Sequence, residues 1–309
     1  MERYINSFAT ENDIQTALEN GELLKPYVAY IEDVDRIDWN SKELGPITRY
    51  LTFEIVSAGT INLFTPYDYL KIDIQYKVNN NDWQTAQFKG ANGRTIGNFN
   101  PGDVIQFKGN NDSYGFFRNV TNVGNSFIGT ASFKISGNIM SLIYGDNFLG
   151  KNYFPENSDR NFTGMFKGSK IADLTGLVLP ATTLTDCCYY EMFYNCTSLT
   201  AVPSNLLPAT TLAQDCYQNM FQGCASLTTA PALPATTLAN FCYWGMFQRC
   251  TKLNYIKCLA TDISATYCTS YWVKGVSSTG TFVKAAGIES WPTGGDGIPN
   301  NWTIENNIE

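Results

Sequence analysis

The sequence contains no histidine among its 309 residues. Histidine is the commonest general base and the commonest metal ligand near neutral pH, so its absence excludes the usual Ser–His and Cys–His triads. Lys and Arg number 21 against 28 Asp and Glu, which gives a formal net charge of −7. The basic residues form no cluster that could neutralise a phosphate backbone. We therefore expect no nucleic-acid partner and no cofactor.

Long apolar runs are also missing. No stretch of about 18 apolar residues occurs, so we expect no membrane insertion. The start, Met1–Asn6, has no basic segment followed by an apolar run, so we expect no secretory leader. Tyr, Phe, Thr, Asn and Gly are plentiful instead. This composition is typical of a β-rich chain with a polar, weakly charged surface.

Residues 1–45 are predicted to form a short α/β segment. Thr10 precedes an acidic first turn, which predicts a helix that Gly21 would end. The apolar run Pro26–Ile31 predicts one strand. The segment has too little apolar material to form a core of its own. We therefore expect it to anchor the chain in an assembly with partner proteins.

Residues 46–147 are predicted to form an antiparallel β-sandwich. Apolar and polar residues alternate along Arg49–Ile55 and Leu70–Val78, which is the period of a half-buried strand. Asn79–Asp82 predicts a turn, and further strands are expected at Val104–Phe107 and Ala131–Ile135. Several short strands within about 100 residues favour a sandwich.

Residues 148–309 repeat themselves. Three clear copies begin at Leu179, Leu207 and Leu233, with spacings of 28 and 26 residues. Each continues with Cys-Tyr, Met-Phe and Cys in the same phase. A partial copy precedes them at Met165-Phe166, and a degraded fourth copy follows around Trp272. Atypical end copies are expected where a stack of repeats needs caps.

One copy predicts a strand followed by a helix. Leu212, Cys216, Met220 and Cys224 are spaced by four, which favours one face of a helix of about three turns. Leu227–Ala230 predicts a short strand. A single copy cannot bury its apolar face, but stacked copies can.

The repeat resembles a known family through a motif at the end of each predicted helix. In the second copy that motif is Met220-Phe221-Gln222-Gly223-Cys224-Ala225-Ser226-Leu227. The pattern is similar to the BspA-like (treponemal-type) leucine-rich repeats of Bacteroides-type bacteria, over about residues 165–275. The ending Gly297–Ile304 is similar to the usual ending of such chains. The resemblance implies a leucine-rich-repeat solenoid with a β-rich C-terminal cap, and a role in adhesion without catalysis.

The nine cysteines are expected to be small core hydrophobes. On a helix, the Cys-x₇-Cys spacing separates the two residues by about 12 Å, too far for a disulfide. No Cys-x₂₋₄-Cys pair suggests zinc. Cys187 lies beside the core position and is expected to be exposed.

Helix positions that point away from the core vary between copies. One interpretation is a recognition surface, because aromatic and polar side chains on a rigid scaffold are typical of such surfaces. The alternative is drift at unconstrained surface positions, which explains the same variation. The predicted exposed binding face consists of Tyr190, Glu191, Tyr194, Gln218, Asn219, Gln222, Trp244, Gln248 and Arg249.

Three functions remain open. The first is a phage virion component (fibre, spike or decoration) with residues 1–45 in the particle and the solenoid directed towards a host surface glycan or protein. Such proteins are commonly symmetric, so we expect a homo-oligomer such as a trimer. The second is a bacterial cell-surface adhesin. The third is a glycan hydrolase with a carboxylate pair such as Asp33/Asp35 or Asp73/Glu54, although no catalytic motif supports it.

Overall fold

The computed structural model describes residues 6–8, 28–31, 36–39, 49–64, 72–86, 94–112, 126–156, 158–288 and 291–307. Within these ranges the protein is mostly β, as predicted, with a single four-residue α-helix, α1 (Ser141–Tyr144), and a 3₁₀ turn at Gly145–Asn147. The strands are β1 (Asn6–Phe8), β2 (Val28–Ile31), β3 (Arg36–Trp39), β4 (Leu51–Ser57), β5 (Gly59–Phe64), β6 (Gln75–Val78), β7 (Gln84–Thr85), β8 (Arg94–Phe99), β9 (Val104–Lys108), β10 (Ser126–Gly129), β11 (Ser132–Asn138), β12 (Ile171–Val178), β13 (Tyr255–Cys258), β14 (Thr281–Lys284) and β15 (Thr303–Asn306).

The N-terminal strands form a small sheet in the order β1-β2-β3, with β1 and β2 parallel and β3 antiparallel to β2. The predicted strand Pro26–Ile31 therefore corresponds to β2, which begins at Val28. The helix predicted after Thr10 lies outside the described residues.

The middle of the chain forms two sheets. One has six strands in the order β12-β11-β4-β9-β6-β7, and the other has three in the order β10-β5-β8. Alternation along the strands decides which side chains are buried, as the pattern of β9 shows: Ile105 and Phe107 are fully buried and their neighbours are half-buried.

Aromatic rings join the two sheets. Phe53 of β4 and Phe107 of β9 lie 5.0 and 4.8 Å from Phe127 of β10, measured between ring centres. Phe127 also contacts Phe166, which belongs to the partial repeat copy, at 6.0 Å. Strand β12 pairs in parallel with β11. The repeat region, residues 158–307, therefore shares its core and one sheet with residues 49–147.

The helices predicted in the repeats are wrong. The described residues 158–288 and 291–307 contain no α-helix; the positions in question form coils of consecutive turns. Along each coil, backbone N–H groups alternate between two acceptors. In the second copy, Met220 donates to Tyr217 within the same turn at 3.1 Å, whereas Phe221 donates to Met246 of the next copy at 2.9 Å. Half of the coil's donors are thus satisfied by the neighbouring copy.

Each coil has a left-handed residue at every fourth position. In the second copy these are Asp215, Asn219 and Gly223, with φ of 56°, 55° and 76°. Left-handed φ is incompatible with an α-helix and is most accessible to Gly, Asn and Asp. On an α-helix, residues spaced by four are rotated by about 40° from one to the next, so they do not stay on one face. In a coil with four residues per turn the same spacing keeps them on one face.

The buried side chains of successive coils form ladders. Phe166, Phe193, Phe221 and Phe247 stack with ring centres 5.4–5.7 Å apart and nearly parallel planes. A second ladder runs from Tyr189 through Tyr217 and Tyr243 to Trp272, at 5.8–6.1 Å. Phe166 of the partial copy continues the first ladder in phase. Trp272 of the degraded fourth copy instead occupies the position of Met220 and Met246, and its ring extends the second ladder where the in-phase residue is Thr269.

After β12, the next strands of the repeat region lie near the C-terminus. β13, β14 and β15 form a parallel sheet in chain order. The strand predicted at Leu227–Ala230 is reduced to one isolated bridge, between Thr229 and Tyr255.

All nine cysteines lie in the described part, and each is free and buried. The Sγ atoms of Cys196, Cys224 and Cys250 lie 3.0–3.1 Å from the carbonyl oxygens of Phe166, Phe193 and Phe221, positioned to donate weak hydrogen bonds between copies. The expected exposure of Cys187 is wrong, because its left-handed φ turns the side chain towards Asp215, with Sγ 3.9 Å from Oδ2.

Candidate functional site

Three consecutive coils place equivalent positions side by side on one face. The first left-handed position is occupied in successive copies by Asp215, Phe241 and Tyr267. The position three residues later is occupied by Gln218, Trp244 and Ser270. Both rows line a groove of about 580 Å³, which Gln214, Tyr271 and Asp296 complete. We refer to it as the aromatic groove. Its volume is within the range of ligand sites.

The aromatic side chains of the groove pack against one another across copies. Phe241 and Tyr267 lie 5.4 Å apart with planes tilted by 33°, and Trp244 meets Tyr271 edge-on at 6.1 Å. Tyr267 is 62% exposed and Tyr271 is 45% exposed, so both present apolar surface to solvent. Ring–ring contacts restrict these side chains before any ligand arrives.

Two carboxylates flank the rings. The backbone N–H of Tyr271 donates to Asp296 Oδ1, and Thr269 Oγ1 donates to the Asp296 carbonyl at 2.8 Å, which fixes the position of this loop. Asp215 Oδ2 accepts a hydrogen bond from Gln214 Nε2 at 3.0 Å. Burial raises the pKa of Asp215 above its ordinary value, and the nearby Asp186 raises it further.

The structure brings part of the predicted binding face into the groove. Gln218 and Trp244 line it, and Arg249 is exposed elsewhere. Four further members of the predicted face are half-buried and do not line the groove: Tyr190, Tyr194, Gln222 and Gln248.

The expected exposure of Glu191 and Asn219 is wrong. Glu191 is 6% exposed, because its Oε2 lies 2.6 Å from Lys167 Nζ and is enclosed by the stack. Asn219 is 5% exposed, because its side chain fills the space beside Gly245, where a Cβ atom would lie 2.1 Å from Asn219 Oδ1. A helical wheel places both on the outer face, but in the coil Glu191 turns towards Lys167 of the preceding copy and Asn219 towards Gly245 of the following copy.

Most of the groove was missed by reasoning from the sequence. Asp215, Phe241, Tyr267 and Tyr271 occupy left-handed positions, and Asp296 comes from a loop after the last coil. In the second copy, Asp215-x₃-Asn219-x₃-Gly223 places three residues that tolerate left-handed φ at a spacing of four, and this is the signal that could have revealed the coil. The groove residues Phe241 and Tyr267 carry no such signal.

Of the two carboxylate pairs considered for catalysis, the structure describes only Glu54 and Asp73, and it does not bring them into a common site. Asp33 and Asp35 lie outside the described residues. Glu54 faces solvent 3.9 Å from Lys134, whereas Asp73 lies beside a different, polar cavity near Lys108. No group of three or more metal-ligating side chains occurs in the described part of the chain. Among the same residues, no helix has the length and apolarity needed to cross a bilayer.

Comparisons of the chain with protein-family models, with curated proteins and with solved structures found no match.

Proposed function

We propose that this chain is a non-enzymatic recognition protein that binds its target through the aromatic groove. One observation supports the proposal: variable positions of three adjacent coils assemble a single groove, whereas the buried Cys, Tyr, Met, Phe and Cys positions are identical in the second and third copies. Packed Tyr and Trp side chains contribute binding energy with little loss of side-chain freedom.

We further propose that residues 148–309 are a leucine-rich-repeat solenoid of the BspA-like kind and that residues 46–147 are a β-sandwich. The hydrogen bonds and ring ladders between copies support the first. The contacts of Phe53 and Phe107 with Phe127, across the two sheets, support the second. The coils differ from the helices that the resemblance implies, so the likeness concerns repeat phase and core residues.

The biological setting that we propose is a phage virion, in which the protein acts as a fibre, spike or decoration protein and assembles as a homo-oligomer such as a trimer. The three short strands of residues 6–39 support an assembly role, since a sheet of this size needs a partner to bury its faces. A cell-surface adhesin is the alternative.

Mass spectrometry of purified virions and of bacterial envelopes tests the proposed biological setting. We expect to detect the protein in the virions. Deleting residues 1–45 should abolish incorporation into particles while the repeat region still melts cooperatively. Incorporation of the truncated protein at the normal level would contradict the assembly role, and light scattering would measure the oligomeric state.

Binding to whole host cells tests the groove. In the double variant Trp244→Ala/Tyr267→Asn, both rings are removed and Asn tolerates the left-handed φ of 51°. We expect cell binding to fall at least tenfold. Tyr153→Ala is the matched control, since Tyr153 is 47% exposed and lies outside the groove. Equal binding by the double variant and the control would exclude the groove as the recognition site.

A further inference from the structure

We infer that the aromatic groove binds a neutral oligosaccharide, an inference that rests on the proposed recognition function and specifies its ligand. The groove combines flat aromatic surfaces, hydrogen-bonding groups of both kinds and an acidic charge. Each of these properties restricts the class of ligand.

The charge of the groove lining disfavours acidic ligands. None of the nine described residues that line the groove is Lys or Arg, and two of them, Asp215 and Asp296, are carboxylates. Lys274 Nζ lies 5.2 Å from the ring centre of Tyr271, and Arg160 interacts with Asp215, but neither lines the groove. An acidic sugar, a phosphate or a sulfate would therefore meet two carboxylates and no basic side chain of the lining, which costs affinity. The ligand is therefore uncharged or cationic.

The polar groups favour a ligand rich in hydroxyls. Gln214 and Gln218 offer amide donors and acceptors, Ser270 offers a hydroxyl, and the carboxylates accept. A sugar hydroxyl is both a donor and an acceptor, so it can be satisfied by this mixture. An ammonium group only donates, so it could pair with the carboxylates and the amide oxygens but not with the amide N–H groups of Gln218.

The rings are arranged for stacking on one side of a ligand. Phe241 and Tyr267 extend a common apolar surface over adjacent copies, with ring centres 5.4 Å apart. The C–H face of a pyranose packs on such a surface, and its slightly positive hydrogens meet the negative faces of the rings. A cation is bound best when rings enclose and desolvate it, yet Tyr267 is 62% exposed. Because the rows of side chains run over three copies, the groove is suited to more than one sugar unit.

Affinity gel electrophoresis tests this inference with the full chain. The gels contain mannan, dextran or galactan as neutral probes and polygalacturonate as the acidic probe. We expect at least one neutral polysaccharide to retard the protein and polygalacturonate to have no effect. Trp244→Ala/Tyr267→Asn should weaken retardation at least tenfold, and Asp215→Asn should weaken it less, whereas Tyr153→Ala should leave it unchanged.

Several outcomes would overturn the inference. Retardation by polygalacturonate alone would show an acidic ligand, and calorimetric binding of choline chloride that displaces the neutral polysaccharide would show a cation site. Loss of cell binding in the groove variant, with no retardation by any neutral probe, would retain the recognition function and reject the sugar. Release of reducing ends from the bound polysaccharide would instead contradict the non-enzymatic proposal.

Discussion

The sheet region (residues 49–147) and the repeat region (residues 158–307) both bury aromatic rings, but they satisfy their backbones differently. In the sheet region, strands distant in sequence pair in ordinary extended conformation, as β11 does with β4. In the repeat region, each coil pairs with the copy 25–27 residues onward, and every fourth residue is left-handed. The first arrangement depends on alternating side chains. The second depends on backbone conformations that must recur in phase.

The two regions should therefore respond differently to local defects. A defect in one coil disturbs hydrogen bonds and ladder contacts with two neighbouring copies, because stability in a stack is nearly a sum of nearest-neighbour terms. A surface or turn defect in the sheet region disturbs only its own surroundings.

The largest effect is expected from a charge inside the stack. Met220 is fully buried between two coils, so Met220→Asp places an unpaired carboxylate there. We expect a loss of several kcal/mol and the disappearance of a cooperative transition for the repeat region in urea. Met220→Leu, which preserves volume, should cost less than about 1.5 kcal/mol. An unchanged transition for Met220→Asp would show that the ladder is not the core.

Two glycines with left-handed φ allow the cost of backbone strain to be distinguished from the cost of steric crowding. Gly245, in the third coil, has φ of 61°, and a Cβ there would lie 2.1 Å from Oδ1 of Asn219, a side chain that is only 5% exposed. Gly102, in the sheet region, has φ of 90°, and a Cβ there would meet nothing within 4 Å. We expect Gly245→Ala to cost about 2–3 kcal/mol and Gly102→Ala about 1 kcal/mol in thermal unfolding. Equal losses of stability would mean that the stack accommodates the added Cβ atom as easily as a surface turn does.

Ladder contacts should couple neighbouring copies. Phe193 and Phe221 stack at 5.4 Å, so a double-mutant cycle with Phe→Leu changes should give a coupling of about 0.5–1.5 kcal/mol. The pair Phe107 and Phe247, one from each region, should be additive in the same denaturation experiment. A coupling near zero for the stacked pair would mean that ring stacking adds no stability beyond the burial of each ring.

The smallest effect concerns two carboxyl groups with opposite pKa shifts. Burial raises the pKa of Asp215 from 3.8, so ionisation destabilises the fold and Asp215→Asn should raise Tm at pH 7. Hydrogen bonds from the Asn100 N–H and the Asn79 amide lower the pKa of Asp103 from the same ordinary value. Its contribution is present above that value and is lost as pH falls, so Asp103→Asn should lower Tm at pH 7.

Both differences in Tm should shrink as the pH is lowered towards 3, since the carboxyl groups then become protonated and resemble the amide. Differential scanning calorimetry from pH 3 to 7 measures them. Shifts of the same sign for the two variants would contradict the assigned environments.

The amino-acid sequence by itself determined the phase of the repeats and the identity of their buried residues. Cys, Tyr, Met and Phe return at intervals of 26–28 residues, and apolar side chains at equivalent positions of adjacent copies can be buried only by stacking. The alternation in β4 and β9 likewise predicted their buried faces, because side chains on a strand point to opposite sides in turn.

Only the tertiary structure decided the conformation of the coils and the composition of the groove. An apolar spacing of four is compatible with a helix and with a four-residue coil. The coil is selected because alternate N–H groups, such as that of Phe221, find acceptors in the next copy rather than four residues back. The left-handed residues then direct Asp215, Phe241 and Tyr267 into one row, and Asp296 joins them through its hydrogen bond with Tyr271. These neighbours are separated by 25 residues or more, so no local pattern encodes their proximity.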